Sequence, residues 1–73
     1  MEMKLKNPSQ LKDKLMKAND WLTIADMASG MKMSNHTIAK VFDRGEPVKP
    51  ATIRKIAEFM GVGPYEIAVR VGN

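Results

Sequence analysis

The sequence predicts an all-α domain of five short helices. Three observations carry that prediction. Apolar residues recur at helical spacing in five successive segments. Most of those segments open on a capping residue or a proline and close on Gly, Asn or Asp. The only alternation of apolar and charged residues is Met1 to Lys6, too short to specify a strand by itself. That stretch is either a tail or an edge strand. The chain reads as one domain over 1–73.

The first helix opens at Asn7-Pro8-Ser9-Gln10. Asn7 can cap, Pro8 suits the first helical position, and Gln10 can reach back. Leu11, Leu15, Ala18 and Leu22 follow at helical spacing, with Lys12, Asp13, Lys14 and Lys17 on a solvated face. Asn19-Asp20 is the stop.

The second helix opens at Thr23, whose hydroxyl can cap while Asp26 completes a capping box. Ile24, Met27, Ala28 and Met31 form its apolar stripe, and it breaks near Ser29-Gly30-Met31-Lys32. The third opens at Ser34, another capping hydroxyl. Ile38, Val41 and Phe42 face inward. Asn35, His36, Ala39 and Lys40 face outward, and Asp43 lies a turn further on. Arg44-Gly45-Glu46-Pro47 ends it.

The fourth opens at Pro50 and places Ile53, Ile56, Ala57 and Met60 on one face before Gly61. The fifth opens at Gly63-Pro64-Tyr65-Glu66 and continues through Ile67, Ala68 and Val71 to Gly72-Asn73. Met27, Met31 and Met60 read as core filling. Tyr65, Val69 and Val71 extend an apolar face that fits either a dimer surface or a docked last helix.

Composition narrows the function. The 73 residues hold 12 Lys+Arg against 8 Asp+Glu, a net charge of +4, with no Cys. Disulfides and Cys-based zinc sites are excluded. His36 is the one imidazole, and no carboxylate pair is evidently set up as acid and base, so no enzyme, metal or cofactor is expected. No apolar run approaches the ~20 residues of a membrane span, and no apolar signal core opens the chain, so a cytoplasmic protein is the default. No small-molecule ligand is evident. The positive balance points to a polyanion.

The second and third helices meet the demands of a helix-turn-helix. Ala28 is small enough for the two to approach. The second of the pair is anchored by Ile38, Val41 and Phe42, leaving Asn35, His36 and Lys40 free for base edges.

Thr23 to Gly45 resembles the lambda-repressor/Cro-like (XRE-like) helix-turn-helix family. The resemblance continues through Pro50 to Val62 and covers about residues 9–69. It implies a five-helix DNA-binding domain acting as a homodimer on a palindromic double-stranded operator, as a transcriptional repressor or regulator. By matching positions it implies base contacts at Asn35, His36 and Lys40. It implies phosphate contacts at Thr23, Ile24 (through its backbone N–H), Thr37 and Arg44. Three positions depart from the family pattern. Lys32 stands where Gly is usual in the turn, a place that often needs φ > 0. Phe42 stands where many members have Glu. Gly45 comes one residue later than usual after Ile38, which predicts a longer loop there. The rival reading is a protein-interaction module on the same scaffold, antitoxin-like or polymerase-binding.

Overall fold

Short-range hydrogen bonds decide where each helix begins and ends. The computed structural model describes residues 1–72; the Asn73 end of the expected last helix lies outside them. The elements are β1 (Glu2–Leu5), α1 (Pro8–Asn19), α2 (Ile24–Met31), α3 (Asn35–Ile38) continued by a π-helical turn (Ala39–Asp43), α4 (Pro50–Met60), α5 (Pro64–Ile67) and β2 (Ala68–Val71). The fold is mainly helical, with a two-stranded antiparallel sheet that corrects the all-α expectation.

Of the two readings for the first residues, the strand holds. β1 pairs with β2 in the register Glu2↔Val71, Met3↔Arg70, Lys4↔Val69 and Leu5↔Ala68. Its other edge exchanges two hydrogen bonds with Val48, Met3 N–H to Val48 C=O and the reverse, both 2.8 Å. The alternation that hinted at a strand places Met3 and Leu5 in the core and Glu2 and Lys4 outside.

The expected fifth helix is cut to a single turn. Residues 68–71 are extended instead, because pairing with β1 satisfies their backbone and Val69 and Val71 suit a pleated surface.

α1 starts where expected but without a side-chain cap. Asn7 sits at φ −137° and ψ 72°, away from the extended conformation that aims a capping oxygen at the first turn. The helix ends at Asn19. Asp20 is left-handed, at φ 57°, and Trp21 N–H returns to the Met16 carbonyl at 2.9 Å. That reversal takes Leu22 off the stripe and leaves it 86% exposed. Trp21 is the residue that packs, against Gly30 and against Phe59 at a ring separation of 5.6 Å. Ala18 is exposed too, beside an open groove with Phe59, Met60 and Val62.

The core unites the apolar faces of every element. Met27, Ile38, Val41, Phe42, Ile53 and Ile56 are its largest fully buried side chains. Met3, Leu5, Leu15, Ala28, Met31, Val48, Ala57, Ile67 and Ala68 complete it, while Ile24 and Met60 are half-buried at its edge. No buried polar or charged residue interrupts it among the described residues.

Two substitutions test this packing. Leu5→Ala removes a side chain that is 3% exposed. It should destabilise the domain by ~2–5 kcal/mol in chemical denaturation, whereas a loose tail would register nothing. Gly30→Ala would place a methyl 2.2 Å from Trp21 Cζ2. Overpacking costs ~1–3 kcal/mol against a helix-propensity gain of ~1 kcal/mol. Net destabilisation and a red-shift of the single tryptophan's fluorescence are expected; a more stable domain with unshifted emission would show that Trp21 does not lean on Gly30.

Candidate nucleic-acid interface

The pair α2 and α3 is built from two local capping motifs. Thr23 Oγ1 accepts the Asp26 N–H at 3.1 Å, and the Asp26 carboxylate accepts the Thr23 N–H at 3.2 Å. Ser34 Oγ accepts the Thr37 N–H at 3.1 Å and donates to Thr37 Oγ1 at 2.8 Å. Between the helices Lys32 is left-handed, at φ 57°, the conformation that glycine adopts at no steric cost. Met33 N–H closes the turn on the Ala28 carbonyl at 2.9 Å. Lys55 of α4 extends its ammonium to the Lys32 carbonyl at 3.4 Å, a long contact across the turn.

α3 is sided as expected. Ile38 is fully buried, as are Val41 and Phe42 of the π-helical turn, whereas Asn35 and His36 are exposed and Thr37 and Lys40 half-exposed. Between Ile38 and Gly45 the chain stays helical to Asp43. The turn is π-helical: Arg44 N–H bonds to the Ala39 carbonyl, five residues back, at 3.0 Å. Glu46 N–H then closes on the Lys40 carbonyl at 3.0 Å, and Gly45 leaves the helix at φ 61°.

His36, Thr37 and Lys40 open together onto a cleft of about 250 Å³. Its other walls are Glu2 of β1, Val48, Lys49 and Thr52. Asn35 is exposed beside His36 but does not line it. Thr23 and Ile24 lie at the start of α2, outside the cleft. There the Asp26 carboxylate already takes the Leu22 and Thr23 N–H groups, at 3.0 and 3.2 Å, so a phosphate would share that helix end with an anion. Arg44 is committed to an ion pair with Glu46. It would have to release that pair to hold a phosphate.

Ion pairing leaves the face positive. Asp43, at the end of the π-helical turn, is matched by Lys12 of α1 at 2.6 Å. Lys12 is therefore not simply a solvated residue. Glu46 is matched by Arg44. Lys32, Lys40 and Lys49 have no ion-pair partner among the described residues. Glu2, Lys49 and Thr52 are the polar walls of the cleft from outside α3 and the π-helical turn. They come from separate segments, so nothing local in the sequence groups them with α3. Among the described residues no cluster of three His, Cys, Asp or Glu could hold a metal. None of the described helices is long and apolar enough to cross a membrane.

No family model, curated protein or solved structure matches the chain.

The strained turn gives a direct check. Lys32→Gly removes a left-handed side chain that forms no ion pair. It should stabilise the domain by up to ~1 kcal/mol in denaturant unfolding, even after the added chain entropy of glycine. A loss of stability would mean that the Lys32 side chain contributes packing that outweighs its backbone strain.

Proposed function

We propose that this protein binds double-stranded DNA sequence-specifically and regulates transcription, reading the major groove with the helix that begins after Ser34. The observation that supports the reading best is the two-sidedness of α3. Ile38 is 0% exposed, and Val41 and Phe42 of the following turn are 0% and 1% exposed, while Asn35 and His36 are open to solvent. A helix held this way offers its polar face to a groove without disturbing the core.

The roles follow from chemistry. Asn35 suits adenine, whose N6 and N7 its amide can bind as a pair, and Lys40 suits guanine O6 and N7. His36 can donate to acceptors on either strand. Lys49, Thr37 and Thr52 supply donors for phosphate oxygens at the cleft, and Lys32 adds charge in the turn before α3. Neutralising phosphates releases counterions, so affinity should fall steeply with salt. Thr23, the Ile24 N–H and Arg44 are weaker candidates for phosphate, given Asp26 and Glu46.

The chain would act as a homodimer on a palindromic operator, with half-sites about 34 Å apart on one face of the duplex. Tyr65 and Val69, 55% and 40% exposed, and the outer edge of β2 offer a surface for a second copy. The chain would work in the cytoplasm, repressing by occupying its site. The resemblance to lambda-repressor/Cro-like domains fits this reading.

A second reading, a protein-interaction module, has one observation in its favour: Leu22 at 86% and Phe59 at 43% exposure lie beside Trp21. A gel shift with random duplex at low salt separates the two. Binding that weakens as salt rises is expected from the phosphate contacts, with the logarithm of the constant falling by about 0.9 per contact per decade of salt. No binding, or binding indifferent to salt, rejects the DNA reading. Within it, Asn35→Ala should lose roughly tenfold on the selected operator and much less on random duplex. Equal losses on both would remove Asn35 from base reading.

A further inference from the structure

We propose that the carboxylate of Glu2, at the start of β1, is a specificity-determining group of the cleft. It accepts a hydrogen bond from the exocyclic amino group of cytosine and repels the duplex where no such donor is presented. The inference rests on the DNA-binding reading of the same cleft.

Placement is the first support. Glu2 lines the cleft with His36, Thr37, Lys40, Lys49 and Thr52. It does not belong to a loose arm. Glu2 lies opposite Val71 in the sheet, and the next residue, Met3, exchanges two 2.8 Å hydrogen bonds with Val48 and is 2% exposed. A backbone fixed at both edges spares the cost of ordering an arm, and only the rotamers of the side chain remain to be ordered on binding.

Charge is the second. Asp43 and Glu46, the other acids near α3, are each held by a cation, Lys12 and Arg44. Glu2 makes no ion pair or side-chain hydrogen bond among the described residues, although Lys40 and Lys49 line the same cleft. An acid left free in a basic cleft weakens every phosphate contact around it. Such a group costs non-specific affinity and is useful only where it gains discrimination.

Base chemistry decides which discrimination. An ionised carboxylate only accepts hydrogen bonds. In the major groove cytosine presents a donor alone, its N4 amino group. Adenine sets the N7 acceptor beside its amino group, and guanine and thymine present acceptors at the corresponding edge. Cytosine is therefore the base that a lone carboxylate favours, with Lys49 placed to hold a flanking phosphate.

The test selects bound sequences from a random duplex pool with the full chain, in parallel for the unaltered protein, Glu2→Gln and Glu2→Ala. Anisotropy titrations on the winning duplex and on random duplex accompany it. The unaltered protein should enrich a motif with cytosine at one position of each half-site. In Glu2→Ala, preference at that position should fall by about tenfold, other positions should be unchanged, and random duplex should bind more tightly. Glu2→Gln should shift the preference toward adenine, which a side-chain amide can pair. Motifs identical in all three proteins would overturn the role of Glu2 and leave the DNA reading standing. Tight binding to random duplex without any enriched motif would overturn sequence reading as a whole, and no duplex binding would overturn the DNA reading itself.

Discussion

The burial of one side of the third helix is the constraint on which the remaining structure depends. Ile38, Val41 and Phe42 meet Met27 and Ala28 of α2, Ile53 and Ile56 of α4, and Met3 and Leu5 of β1 in a single apolar cluster. Exposing a side chain the size of Phe42 costs ~1.5–3 kcal/mol, a large part of a small domain's stability. Rotation about the helix axis is thereby forbidden, and Asn35, His36 and Lys40 have nowhere to point but outward. The polar face is fixed by the apolar one.

The strand β1 closes that arrangement. A 73-residue chain without cysteine has no covalent staple and a thin margin of stability. Here the first residues are paired on one edge with the last described strand and on the other with Val48, in the loop between the π-helical turn and α4. One four-residue strand thus ties together both ends of the fold and the segment that carries Lys49. It also brings Glu2 to the cleft beside α3. Stability and the composition of the site are coupled through the same few backbone hydrogen bonds.

Features set by local chemistry were legible in the sequence. The Thr23–Asp26 box, the Ser34 cap, the stop at Asn19-Asp20 and the apolar face of α4 need only neighbours within one turn, and the residues there have the right types. The outward set of Asn35 and His36 followed from the same periodicity. Features set by distant partners were not legible. Ile67, Ala68 and Val71 fit a helix as well as a strand until residues 2–5 come to pair with them. Leu22 continued the α1 pattern, but the left-handed Asp20 turned the chain away first. The π-helical turn rests on i→i+5 backbone bonds, among them Arg44 to Ala39, that no residue type announces. The cleft was half legible, since its α3 wall is one segment and its Glu2, Lys49 and Thr52 walls are others.

Electrostatics sharpen where a polyanion would settle. The +4 charge of the chain says little by itself, because several of its cations, Lys14 and Lys17 among them, do not line the cleft. Pairing matters more: Asp43 and Glu46 are covered, and Lys32, Lys40 and Lys49 are not. The most direct measurement is an amide chemical-shift titration of the isotope-labelled chain with a short duplex at low salt. DNA binding through α3 predicts displacements concentrated at Glu2, Asn35, His36, Thr37, Lys40, Lys49 and Thr52. Displacements centred on Trp21, Leu22 and Phe59, or none at all, would contradict it.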